Sequence, residues 1–143
     1  MKEPEFQCIL KIEFENNFDL DEITKVLDVK PHYCISYEKS GYTKISKDKL
    51  SGAWWYAYPS LYDYKTSWSV NQMLKNLFSC FSEEKFYALK EIVKKQNGKI
   101  VLTINIYFYH DSLPELCFNG EVMRIINNLD ADIEININED HEE

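Results

Sequence analysis

Glycine and proline are scarce, with four of each in 143 residues. Four well-separated glycines cannot build a glycine-rich phosphate loop, and so few chain breakers leave most of the length to regular elements. Basic charge is scarce as well. Sixteen lysines and arginines stand against 24 acids, a formal net charge of −8. Such a surface repels phosphates, so nucleic acid is excluded as a partner, while a protein partner with a basic surface is favoured. His32, His110 and His141 are too far apart in sequence to suggest a ligand set. Cys8, Cys34, Cys80 and Cys117 form no close pairs, so no zinc-type spacing is present, and no metal or cofactor is expected. No stretch approaches the ~20 apolar residues of a membrane helix. Met1 to Glu5 carries charge and Pro4 with no apolar run behind it, which argues against a signal peptide. The expectation is a cytoplasmic protein with reduced thiols and no membrane contact.

What is present describes a globular domain. The length suits one domain with a core that needs no staples. Aromatic content is high, 15%, and includes ten tyrosines. The strongest single signal is Lys99 to Tyr109. Ile100, Leu102, Ile104, Ile106 and Phe108 fall on one parity; Val101, Thr103, Asn105, Tyr107 and Tyr109 fall on the other. Successive strand residues face opposite ways, so this is a long strand with one face in the core and the other partly wetted. It is expected to lie centrally, with helices packed against it.

Phe6 to Phe14 alternates in the same way, with Cys8 on the apolar parity as a small core residue. Phe18-Asp19-x-x-Glu22-Ile23 then reads as a stapled, boxed helix start, with Asp19 as N-cap, Asp28 as a left-handed C-cap and Pro31 as a stop. One or two short strands are expected between Lys30 and Ser51, where Lys44, Lys47 and Lys49 form a modest basic patch. Ser67 or Ser69 starts a helix striped by Val70, Leu74, Leu77, Phe78 and Phe81. Ser82 caps the next, which ends at Asn97-Gly98 and enters the long strand. Phe118, Asn119 and Met123 repeat the staple-and-cap logic, and Ile133, Ile135 and Ile137 alternate with Glu134, Asn136 and Asn138 in a last strand. The two stapled helices end alike, at Leu27-Asp28-Val29 and Leu129-Asp130-Ala131. The fold class is α+β: a single domain over residues 1–138 in the order β-α-β-β-α-α-β-α-β. Its antiparallel sheet of about five strands carries helices mainly on one face. Residues 139–143 form an acidic tail that holds half of the excess charge.

From Trp54 to Trp68, seven of fifteen residues are aromatic. Trp54, Tyr56 and Tyr58 share one parity of a strand that Pro59 ends, and Trp55 lies on the other. Tyr62 and Tyr64 follow in a loop. Tyrosine and tryptophan combine apolar bodies with polar tips and are favoured in binding surfaces, but the same rings can close a core or cover a sheet edge. Trp54, Trp55, Tyr56, Tyr58, Tyr62, Tyr64, Tyr107 and Tyr109 are the candidate binding residues. No catalytic set accompanies them. His110-Asp111 is a local pair in a loop, and His32 with Cys34 shares a strand face, but neither has an orienting third group.

The pattern Phe18-Asp19-x-x-Glu22-Ile23-Thr24-x-x-Leu27-x-Val29-x-Pro31, the segment Gly52-Ala53-Trp54-Trp55, and the run from Phe118 to Ile137 together resemble an uncharacterised bacterial family, domain of unknown function 4279. The sequence departs from that family at Asp28 and Asp130, where glycine is commoner. The resemblance implies a compact α+β domain of the bacterial cytoplasm and brings no catalytic residues. The leading expectation is a non-catalytic protein-binding module, by analogy an immunity protein that neutralises a toxin. The rivals are a small-ligand binder or enzyme with an aromatic-lined pocket, and a homodimer built on the same rings.

Overall fold

The computed structural model describes residues 4–15, 18–36, 52–58, 69–109 and 116–140. Tyr62, Tyr64, the part of the Lys30–Ser51 region that carries Lys44, Lys47 and Lys49, and the His110-Asp111 loop lie outside the described residues. The elements follow the expected order: β1 (Glu5–Phe14), α1 (Asp21–Leu27), β2 (Tyr33–Ser36), β3 (Gly52–Tyr58), α2 (Val70–Ser79), α3 (Glu83–Lys95), β4 (Gly98–Tyr109), α4 (Gly120–Leu129) and β5 (Asp132–Asp140). The last strand therefore runs into the first two residues of the expected acidic tail.

The five strands lie in the order β2-β3-β1-β4-β5. β4 pairs with both terminal strands, but it is not the central strand expected: the middle position belongs to β1. Three of the four pairings are antiparallel. The fourth, β4 with β5, is parallel, so the sheet expected to be antiparallel is mixed. The cause is α4: a helix between two neighbouring strands returns the chain to the same end before the second strand starts.

The apolar parities of β1 and β4 behave as the alternation requires, except that Phe108 at the end of β4 is only partly buried and stands outside the core. Phe6, Cys8, Leu10, Ile12 and Phe14 of β1 join Ile100, Leu102, Ile104 and Ile106 of β4, Trp54 of β3 and the apolar stripes of all four helices in one core. Leu10, Ile12, Leu102 and Ile104 are essentially inaccessible to solvent, and burying each contributes roughly 1.5–3 kcal/mol. Cys8 is part of this core. Burial, and secondarily Cys80, pushes its thiol well above the ordinary value, so it packs as an inert hydrophobe.

The local signals are realised almost residue by residue. Ser69, Ser82 and Asn119 each accept a hydrogen bond from the backbone N–H three residues on, at 2.9–3.2 Å. The exception is α1: its N-cap is Leu20, which makes no side-chain cap bond, and not Asp19, whose carboxylate instead accepts from the Asp21 N–H at 3.1 Å in the turn before the helix. Phe18 stacks on Phe14 at 4.5 Å, which ties the helix start to β1. Asp28 and Asp130 hold nearly identical left-handed conformations, φ 55° and 56°. These are positions where glycine costs least, which accounts for its preference there.

Candidate functional site

The alternation of β3 divides the aromatic cluster between the two faces of the sheet. Trp54 is fully buried among the helices, and its Nε1–H donates to Thr24 Oγ1 at 3.0 Å. Tyr56 and Tyr58 pack on the same core from its margin. Tyr56 meets Phe81 edge-on at 5.5 Å and the His32 ring at 4.9 Å. Burial, with the Cys80 thiol and then Tyr58, raises the Tyr56 phenol above its ordinary value. Trp55 points to the far face of the sheet, away from the helices. Its ring lies 4.4 Å from the Lys11 ammonium and 4.8 Å from the Tyr33 ring. Tyr107 shares that far face, pairing in register with Glu5 and Asn138, whereas Tyr109 is buried. Val101, the β4 residue level with Trp55, is six positions from Tyr107, about 20 Å along the strand at ~3.3 Å per residue. Among the described residues the rings thus form no single continuous patch.

His32 is engaged rather than poised for chemistry. Its Nδ1 accepts the Ala57 N–H at 3.0 Å while its own backbone N–H donates to Trp55 O at 2.8 Å.

Between the aromatic residues of the far face runs a polar ladder that crosses three strands. Asn105 donates to Gln7, and Asn136 donates to Asn105, each at 3.0 Å. Asn136 also reaches Glu134 Oε1 at 3.4 Å, where Thr103 Oγ1 donates at 3.3 Å and Lys11 Nζ at 3.4 Å. Partial burial of Glu134 works against its charge, but Lys11 and the bonds from Asn136 and Thr103 outweigh it. The carboxyl is held below its ordinary range. It is therefore a charged acceptor at neutral pH and not a proton donor. An acid and a base do stand beside β4 on this face, supplied by its neighbours. The two partners are 123 residues apart in sequence, so only the strand register brings them together.

β5 is the exposed margin of the sheet. In register, Ile133, Ile135 and Ile137 lie beside Leu102, Ile104 and Ile106, three of the best-buried residues in the protein. Yet they are 37%, 38% and 61% exposed; among the described residues the helices pack mainly on β1 and β4. The opposite parity carries Asp132, Glu134, Asn136 and Asn138. Among the described residues no strand lies beyond β5, so alternate backbone groups along a nine-residue strand face outward. An exposed apolar edge of this length is a template for another strand. The alternating isoleucines were readable from the sequence; that they face water was not.

Among the described residues, no three histidine, cysteine or acidic side chains stand together as a metal site, and no helix is long and apolar enough to cross a membrane. The arrangement offers a backbone edge, an apolar row and two exposed carboxylates held in ion pairs. Comparison with known proteins gives one positive finding: the model of a family described as Domain of unknown function (DUF4279) matches residues 4–140. No curated protein and no solved structure matches.

Proposed function

The chain belongs to the DUF4279 family, and we propose that it is a non-catalytic protein-binding module whose β5 edge takes an extended, basic segment of a partner. The observation that carries this reading is the row Ile133, Ile135 and Ile137, exposed on an edge strand beside fully buried register partners. An added strand continues the backbone ladder and covers the isoleucines with its own apolar parity. Its other parity then stands opposite Asp132 and Glu134, which pair with Lys99 and Lys11 at 3.8 and 3.4 Å but stay exposed, so in a chain of net charge −8 lysine or arginine is the complementary choice. Each matched cross-strand pair contributes roughly 0.2–1 kcal/mol. A second copy of this chain is the poorer occupant. Antiparallel β5 pairing would set isoleucine against isoleucine, but it would also join two molecules of net charge −8.

This reading places the domain in the bacterial cytoplasm. In the immunity manner, the captured segment would belong to a toxin whose active surface the module covers. The test uses a peptide of nine residues, the length of β5, alternating lysine and valine. The peptide should bind with an affinity that falls as salt rises. The glutamate–valine counterpart should bind at least about tenfold more weakly. Methylating every second peptide nitrogen should abolish binding, as should Ile135→Lys. Equal binding of the acidic peptide, or full binding by Ile135→Lys, would overturn the proposal. Light scattering should show a monomer; a concentration-dependent dimer that Ile135→Lys dissolves would assign the edge to self-association instead.

A further inference from the structure

The helical side holds a second feature that the β5 reading does not use. α2, α3 and α4 enclose a groove of about 810 Å³, within the size range of small-molecule pockets, roughly 300–1,000 Å³. Its floor is apolar. Phe78, Phe81 and Leu129 are buried there, and Phe86 meets Phe78 edge-on at 5.9 Å and Phe81 at 5.5 Å. Ile125 completes the floor from α4. At the mouth, Lys75 on α2 and Glu121 on α4 form an ion pair of 3.2 Å, so these two charges largely cancel.

The other two cations on the lining are Lys90 of α3 and Arg124 of α4. Among the described residues neither makes an ion pair or a side-chain hydrogen bond. The remaining acid, Glu83, sits in the first turn of α3, where the positive end of the helix favours it. Lys90 and Leu129 also line an adjoining cavity of about 390 Å³, to which Lys94 contributes against one acid, Asp130, while Lys99 there is paired with Asp132 at 3.8 Å. A chain with eight more acids than bases therefore carries a local excess of positive charge, and that excess stands over an aromatic floor.

We infer that this groove is a binding site for an anionic amphiphile, a small molecule with an aromatic or acyl body and a carboxylate-type head. The body lies on Phe78, Phe86 and Ile125. The head is taken by Arg124, whose planar guanidinium matches a carboxylate or sulfonate with two parallel hydrogen bonds, and by Lys90 as a point charge. The apolar floor alone would accept a neutral molecule equally well; the two unpaired cations supply the selectivity.

Anilinonaphthalene sulfonate, an aromatic anion that fluoresces in apolar surroundings, is the direct probe on the full chain. It should bind, and laurate should displace it at least about tenfold better than dodecanol, which has the same chain and no charge. Because both cations are on helix surfaces, the double variant Lys90→Gln/Arg124→Gln should fold normally. It should lose about tenfold in affinity for the probe and for laurate while binding dodecanol unchanged. Equal displacement by laurate and dodecanol would overturn the inference, as would an unaffected double variant. Ile135→Lys serves as the control for location. Probe binding should survive it, whereas loss of probe binding in that variant would move the apolar site to β5 and refute the groove. That control leaves the peptide reading of β5 to stand or fall separately.

Discussion

β1 and β5 are written in nearly the same way and meet opposite fates. Each alternates large apolar residues with polar ones, and each is paired with β4. In β1 the apolar row is sealed beneath the helices; in β5 the equivalent row is open to solvent. Alternation specifies that a strand has an apolar face. What covers that face depends on where the strand lands in the sheet, and only β1 lands in the middle. Large-to-small substitution measures the contrast directly. Leu10→Ala leaves a cavity at a fully buried site and should cost about 2–5 kcal/mol in chemical denaturation. Ile135→Ala on β5 should cost less, about 1–2 kcal/mol, because Ile135 is 38% exposed and its loss opens no sealed cavity. Equal losses would mean that β5 is covered and would remove the premise of the binding proposal.

The tightness of the β1 side has a second measure in Gly98. Opposite Phe14, it has no room for a side chain, since a Cβ there would come within 2.5 Å of the phenylalanine ring. Gly98→Ala should lower stability by about 1–3 kcal/mol, read as a fall in melting temperature. The turn that delivers β5 should respond in the opposite sense. Asp130 holds φ 56°, so Asp130→Gly should raise stability by up to about 1 kcal/mol, and Asp28→Gly at φ 55° should do the same. A loss in either variant would mean that the aspartate side chain contributes more than its backbone conformation costs.

The smallest effect links the two strands. Glu134 of β5 pairs with Lys11 of β1 across β4, and its carboxyl is held below the ordinary range. A depressed folded pKa gives stability that is complete above the unfolded value, ~4.3 for glutamate. That stability is lost as pH falls through the folded value. With half of the Glu134 side chain exposed, the pair is worth at most about 1 kcal/mol. Comparing acid unfolding of the wild type with Glu134→Gln should show the difference between them shrinking as pH drops through that window. A difference that persists at low pH would assign the effect to shape rather than charge.

Much of this architecture was legible because it is local. Helix starts at Ser69, Ser82 and Asn119, the left-handed ends at Asp28 and Asp130, and the parity of β1 and β4 all follow from neighbours in sequence. What was not legible depends on register between distant segments. The parallel pairing of β5, the ladder from Gln7 to Asn136 and the Lys11–Glu134 pair require strands more than 20 residues apart to be placed side by side. The aromatic residues illustrate both cases. Their density marked β3, but adjacent Trp54 and Trp55 were bound to face opposite ways once the strand formed, one into the core and one onto Lys11. The groove beneath Lys90 and Arg124 is a product of three helices, so no single stretch of sequence announces it.

The central claim, that β5 is an acceptor edge, is tested most directly by backbone amide exchange along Asp132 to Asn138, with and without the alternating lysine–valine peptide. Strand addition predicts a period of two, with every second β5 amide slowed by at least about tenfold and the intervening ones, already bonded to β4, unchanged. Peptide binding with no change in β5 exchange, or protection spread without that period, would contradict it.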